Sequence, residues 1–540
     1  MNTRQNTLAA LQQNPQVSVL VIGGGINGIG VFRELALQGI DVLLVEQGDY
    51  CSGASAASSH MVHGGLRYLE NGEFRLVREA VAERNRLLAN APHAVKPLPT
   101  TIPIFRRFSG LLNAPLKFLG WRGKPAERGA LVVKLGLLLY DAYTGRQSKL
   151  PRHRFAGRRA SRARFPALNR LALATATYYD AVMAMPERLA LEVLLDGLAA
   201  NAQARALNYM AVTAANGGQV SLRDAASGES VTVEPQVVVN AAGPWIDLTN
   251  RAMGRETDYI GGTKGAHVVV KHDELRQALG GGEIYFEHAD GRMVLMLPWM
   301  DKVILGTSDI PIEHPDQAAC TDAEAEYFLE MVGKIFPAIA VKSEHIVYRF
   351  AGVRPLPSSA AARAGQISRD HSVQVNEAGG GLDFPVLSLV GGKWTTFRAF
   401  AEQVTDMLLA RLGKRREVHT AGLAIGGGRD YPDGEPARQE WLAALHNDSG
   451  LPGERLAQLF GRYGTRARQA AGFISEGEDQ ALAHAADYSR REILFLAQHE
   501  HVVRVEDVLR RRTALAMNGQ VTAALSEEIS QLLGAADNGG

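Results

Sequence analysis

The chemistry legible first is anion binding by backbone. Gly23-Gly24-Gly25-Ile26-Asn27-Gly28 satisfies the spacing G-x-G-x-x-G through Gly23, Gly25 and Gly28. Gly23 permits a tight turn, Gly25 lets a pyrophosphate approach the main chain, and Gly28 allows a helix to pack closely on a sheet. Free N–H groups at the start of that helix then face the anion. Glu46 stands about 20 residues further on, where a carboxylate accepts hydrogen bonds from ribose hydroxyls and repels a 2′-phosphate, which disfavours NADP. Residues 53–59, with Gly53, Ser55, Ser58 and Ser59, form a small, hydroxyl-rich run suited to close approach around a phosphate or ring system. The fingerprint alone accommodates the adenosine half of either FAD or NAD.

These residues need a strand and a helix to hold them. Val17 to Ile22 is a β-rich apolar run closed by the glycines and reads as a buried parallel strand. A helix is expected from Asn27 to Gln38, stopping at Gly39, before a second strand from Val42 to Val45, which makes a βαβ unit. A further helix spans Glu73 to Leu88, with Phe74, Val77, Val81 and Leu88 on one face. Strands follow at Val231 to Val239, His267 to Val270, Val294 to Leu297, Val303 to Leu305 and Leu387 to Val390, with a helix from Glu324 to Phe336. Beyond a loop holding Gly426, Gly427, Gly428, Pro432 and Pro436 the apolar period becomes helical, over Leu456 to Tyr463, Ile493 to Ala497 and Val505 to Met517.

At 540 residues the chain exceeds one compact core, because single cores stop growing near ~250–300 residues. Lys and Arg (58) nearly cancel Asp and Glu (57), which argues against a nucleic-acid partner. Two cysteines, Cys51 and Cys320, are too few and too far apart for a disulfide framework or a thiolate metal site, so no metal is expected and both thiols read as reduced. The first 16 residues lack the apolar stretch of a secretory signal, and the best apolar run, Leu131 to Tyr140, is broken by Lys134 and falls short of the ~20 residues a spanning helix needs. A cytoplasmic protein without integral insertion is the expectation.

The block from Ser58 through His63, Gly64, Gly65, Leu66, Arg67 and Tyr68 to Glu70, followed by Ala91-Pro92-His93, closely resembles the FAD-dependent glycerol-3-phosphate dehydrogenases of the aerobic, quinone-linked type. Further blocks resembling that family follow in its order: 240–245, 264–267, 298–301, 306–309, 351–356, 367–370 and 391–396. The resemblance spans about residues 17 to 400, and 507–513 looks like the family's helical C-terminal part. It implies a mixed α/β and α+β fold with a Rossmann-like FAD-binding domain, a mixed α/β substrate domain and a helical C-terminal domain. The expected plan is a polar N-terminal tail over 1–15, an FAD-binding domain over 16–424 interrupted by a substrate domain at roughly 95–175 and 250–345, and the helical domain over 425–540.

What the resemblance implies for the site follows residue by residue. FAD contacts fall on Gly23, Gly25, Asn27, Gly28, Glu46, Ser55, Ser59, His63, Gly65, Leu66, Gly243, Asp309, Gly392, Thr395 and Thr396. A phosphate monoester needs several cationic donors, and Arg offers a planar fork matched to it. Arg354, Arg369 and Lys393, with Arg67 and Tyr68, are implied to line the substrate pocket. The reaction implied is oxidation of sn-glycerol 3-phosphate at C2 to dihydroxyacetone phosphate, with hydride transfer to the flavin, and His267 is the candidate base because imidazole titrates near neutrality. Arg354 and Lys393 are set beside it as catalytic candidates.

Two stretches depart from the family pattern. Residues 180–189 (DAVMAMPERL) lack its more polar acidic run and are expected to alter the substrate rim; Trp394 and Phe397 replace a smaller aliphatic and a tyrosine, bearing on pocket shape or electron acceptor. Residues 106–128 interleave Arg106, Arg107, Lys117, Arg122 and Lys124 with Leu111, Leu112, Leu116, Phe118 and Trp121, a composition suited to an anionic membrane surface on the inner face of the cell membrane. Quinone is the acceptor expected from the family, with a homodimer as candidate assembly; a glycerol-3-phosphate oxidase using oxygen, an amine oxidase and a catalytically silent flavin-binding module are the rivals.

Overall fold

The structure is a computed structural model and describes residues 3–65, 73–106, 130–144, 150–287, 292–358 and 370–538. Helix α1 (Thr3–Gln13) precedes β1 (Gln16–Ile22), α2 (Ile26–Leu37) and β2 (Val42–Val45). The N-terminal stretch is therefore helical, with Leu11 buried and Arg4 hydrogen-bonded to Asp224 at 2.8 Å. Strand β1 lies parallel between β2 and Ser230–Asn240, and Arg205–Leu207 and Val386–Val390 extend the parallel sheet on either side. Its far strand, Ser372–Asn376, is antiparallel, and so is the strand Gln219–Asp224 that branches from Ser230–Asn240.

Both faces of this sheet are covered, which is why its strands read as continuous apolar runs. Val19, Val21, Val42 and Leu44 join α2 and the helices Pro186–Ala200 and Phe397–Arg411 in one core. Leu20, Ile22, Leu43 and Val45 join Leu11 and the hairpin Met210–Asn216 with Gln219–Asp224 in the other.

A second, mixed sheet runs in the order Ile310–Pro311, Thr263–Val270, Lys302–Gly306, Met293–Trp299, Glu283–Glu287, Val95–Ile104, Ala174–Met183 and Met61–Val62. Ile346–Arg354 pairs antiparallel with Thr263–Val270, so this sheet reaches past 345 and back to residue 61. One face packs on the helix Asp322–Ile335; the other carries Leu98, Val269, Leu295, Leu297 and Ile304 into a cluster with Ala514 and Met517.

The chain after residue 430 forms a core of its own from the helices Gly434–Ser449, Gly453–Tyr463, Ala467–Ser475, Arg490–His499 and Ala523–Asn538. The helix expected over Val505 to Met517 is not continuous. It is a short turn, Val505–Asp507, running into a π-helical turn, Val508–Arg512, and ending at Thr513. Arg511 and Arg512 on it are ion-paired with Asp49 in the loop after β2. Among the described residues no helix is long and apolar enough to cross a membrane.

Candidate active site

The glycine fingerprint is shaped by close contact. Gly23 has φ +112, and a Cβ on it would stand 2.5 Å from the Ala241 carbonyl oxygen; one on Gly28 would stand 2.0 Å from the Gly23 oxygen. Neither position admits a side chain. Gly25 caps α2 without a side-chain hydrogen bond, and Ile26 N–H donates to Ser55 Oγ at 3.0 Å. At the end of β2, Glu46 accepts from Gly24 N (2.6 Å) and Gly48 N (2.8 Å). Burial pushes its carboxyl pKa up, and those two backbone donors oppose the shift.

Four stretches distant in sequence converge beside the fingerprint. Asn27 Nδ2 donates to the Gly391 carbonyl (3.2 Å), Trp394 Nε1 to the Ser55 carbonyl (2.8 Å), and His63 N to Thr395 Oγ1 (3.3 Å). Gly392 has φ +92 and presses on Asn27, where a Cβ would come within 2.5 Å of Nδ2. Asn27 Oδ1 and Thr396 Oγ1 are buried with no hydrogen-bond partner among the described residues. An unsatisfied buried polar atom costs about 1–3 kcal/mol, so an acceptor and a hydroxyl left this way beside a glycine cradle fit a polar ring system such as an isoalloxazine. Gly243 (φ +57) follows the strand that ends at Asn240.

The second sheet supplies the other wall. His267 sits on Thr263–Val270 opposite Phe350, with the two rings stacked at 4.8 Å and 11°. It is 2% exposed; Nε2 meets Ser59 Oγ at 2.9 Å and Nδ1 is buried with no hydrogen-bond partner among the described residues. Burial, then the Arg354 charge, then His60, lower its pKa to about 3, so the imidazole is neutral at physiological pH. Arg354, at the far end of the neighbouring strand, donates to Asp309 Oδ1 (3.2 Å), Thr307 Oγ1 (2.9 Å) and the Ser308 carbonyl (3.1 Å). Asp309, expected against the cofactor, is thus the ion-pair partner of Arg354. Lys393 leads the 394–396 turn with its Nζ buried. Leu66, Arg67, Tyr68 and Arg369 lie outside the described residues; Gly65 (φ +78) closes the turn just before them.

The departures from the family pattern have structural roles in this fold. Asp180 is 1% exposed and its Oδ1 accepts from Gly64 N (2.9 Å) and Arg84 Nη1 (2.7 Å), so it fixes the 63–65 turn from beneath and lines no exposed rim. Arg188 grips the Glu500 carboxylate with both Nη atoms at 2.5 Å. Trp394 pins the 53–59 run, and Phe397 packs over Gly30 of α2. Asp180 and Phe350 were not singled out from sequence. A lone acid in an apolar strand was the available signal for the first; the second carried none.

A family model described as FAD dependent oxidoreductase matches residues 18–398, and one described as the C-terminal domain of alpha-glycerophosphate oxidase matches 418–537. A glycerol-3-phosphate dehydrogenase from Synechocystis sp. is 33% identical, covering 94% of this chain and 90% of its own. A D-erythritol 1-phosphate dehydrogenase from Brucella abortus is 31% identical over 92% of this chain and 93% of its own. The solved glycerol-3-phosphate dehydrogenase from Bacillus halodurans, complexed with FAD, shares the fold with a TM-score of 0.76 at 23% identity, over 99% of this chain and 93% of that one. With the fingerprint, the cradle and the second-sheet wall in one place, the chain belongs to the FAD-dependent glycerol-3-phosphate dehydrogenase family and is an FAD-dependent oxidoreductase.

Proposed function

We propose that the protein oxidises sn-glycerol 3-phosphate at C2 to dihydroxyacetone phosphate and delivers the electrons to membrane quinone. The observation that carries this is the 2.9 Å contact between Ser59 and His267, which joins the flavin-side loop to the strand pair bearing His267 and Arg354. FAD, when bound, supplies the hydride acceptor. Arg354 and Lys393, with Arg67 and Arg369 implied by the family pattern, hold the phosphate.

The neutral His267 imidazole takes the hydroxyl proton. Its low pKa owes its second-largest part to Arg354, and a phosphate dianion on Arg354 offsets that charge, raising the basicity of His267 when substrate is bound. Because the free enzyme's base is neutral down to about pH 3, the only acid limb of kcat/KM expected between pH 8 and pH 5 is the substrate's own phosphate ionisation, with a pKa of ~6. A second, enzyme-borne limb at about 6.5, seen in the binding-independent kcat, contradicts this role.

Access to quinone is supported by the helix Ala130–Thr144. Leu131, Leu135, Leu138 and Leu139 are each about half exposed at helical spacing, and Lys134 and Asp141 are its only charged residues. This apolar stripe follows the basic, aromatic 106–128 sequence, a composition that suits an anionic lipid surface. Steady-state assays test both halves of the proposal. A higher kcat/KM for sn-glycerol 3-phosphate than for D-erythritol 1-phosphate, with turnover on a soluble quinone and no peroxide in air, agrees with it. Preference for the erythritol ester moves the substrate, and stoichiometric peroxide moves the acceptor to oxygen.

A further inference from the structure

The loop presenting Glu46 is held by the C-terminal domain. Asp49, fully buried three residues beyond Glu46, accepts Arg511 Nε (2.5 Å) and Arg512 Nη1 (2.7 Å) on Oδ2, and Arg512 Nη2 (3.0 Å) and Asn208 Nδ2 (2.9 Å) on Oδ1. Arg511 also reaches Asp507 (2.7 Å), which accepts the Tyr209 hydroxyl (2.5 Å). Arg512 donates to the Glu500 carbonyl through Nε and Nη2. On the loop's other side, Tyr209 N bonds the Gly48 carbonyl (2.7 Å) and Met210 N the Glu46 carbonyl (2.7 Å).

The interrupted helix at 505–512 is what brings two successive arginines onto one carboxylate, and π-helical turns of this kind recur at functional sites. Electrostatics adds a reason. Asp49 is a buried anion close to Glu46, and it raises the cost of the Glu46 charge, whereas Arg511 lowers it. The docked arginines hold the Asp49 carboxyl low and offset the charge it places beside Glu46.

We propose that Arg511 and Arg512 are positioning residues for FAD, fixing through Asp49 the loop that offers Glu46 to the ribose, so that FAD binding and docking of the C-terminal domain are energetically coupled. This rests on the reading of Glu46 as the ribose carboxylate. Coupling of this type is reciprocal and typically changes affinity by about 5–150-fold.

Fluorescence titration of apoprotein with FAD provides the test, using Arg511→Met, Arg512→Met, Arg512→Lys and, alongside, Glu46→Gln. Each Met variant leaves one arginine on Asp49. The expected result is FAD binding weakened about tenfold in each Met variant, part-recovered in Arg512→Lys, and weakened in Glu46→Gln. Folded Met variants within about twofold of the parent overturn the coupling if Glu46→Gln is weakened; an unaffected Glu46→Gln overturns the ribose reading and the proposal with it. Should the Met variants fail to fold, hydrogen exchange on the unaltered protein decides: FAD must slow exchange over 505–513, and equal rates with and without FAD overturn the proposal.

Discussion

A methyl group at residue 265 would stand 2.3 Å from Arg354 Nη2, with the guanidinium lying across the bare glycine. That is the far end of a flexible side chain, so Gly265→Ala moves the fork instead of breaking the strand. The expected outcome is a KM for the phosphate substrate raised about tenfold or more, with FAD retained and stability changed by less than about 1 kcal/mol, because the backbone entropy an alanine saves offsets the displaced fork. An unchanged KM would show that Arg354 does not bind the phosphate. Residue types at this scale were legible: glycines, a carboxylate, cations and a histidine could be named from the sequence. Their pairings were not. Ser59 meets His267 across 208 positions, and Asp309 pairs with Arg354 across 45, because side-chain partners are chosen by tertiary contact that spacing does not encode.

The strands and helices around the fingerprint were readable to within a residue or two, since buried parallel strands are continuous apolar runs and α2 is bounded by glycines. The mixed sheet was harder. Its strand Ala174–Met183 alternates small, aromatic and acidic residues, and the acid proves to be a support. Asp180 and Arg84 form a buried ion pair that also holds Gly64 N–H and, through Tyr140, the helix Ala130–Thr144. Asp180→Asn leaves the Arg84 charge buried without its counter-ion. It is expected to lower stability by about 3 kcal/mol or more in urea unfolding and to loosen the 63–65 turn against the cofactor. A change within about 0.5 kcal/mol would show that the pair is dispensable.

Two sheets and the helical C-terminal part are joined through apolar clusters and through specific polar pairs: Arg188 with Glu500, Asp49 with Arg511 and Arg512, Ser59 with His267. A helical C-terminal part was legible from its apolar period; that it reaches back to the loop after β2 was not, because Asp49 is one unremarked acid in sequence. The exposed leucine stripe belongs to this scale too. Leu135→Glu with Leu139→Glu is expected to abolish co-sedimentation with anionic vesicles while leaving flavin reduction by substrate intact. Retained vesicle binding, or a shift from dimer to monomer on making the variant, would assign the stripe to another surface.

The most direct test of the central claim is the anaerobic absorbance of the FAD-loaded protein on addition of sn-glycerol 3-phosphate. Bleaching of the flavin bands within the mixing time of a manual assay, with dihydroxyacetone phosphate formed in equal amount, is the predicted result. A flavin that stays oxidised with sn-glycerol 3-phosphate but bleaches with another polyol phosphate or an amine would contradict the proposed substrate. One that no reductant of these classes bleaches would contradict the proposed reaction itself.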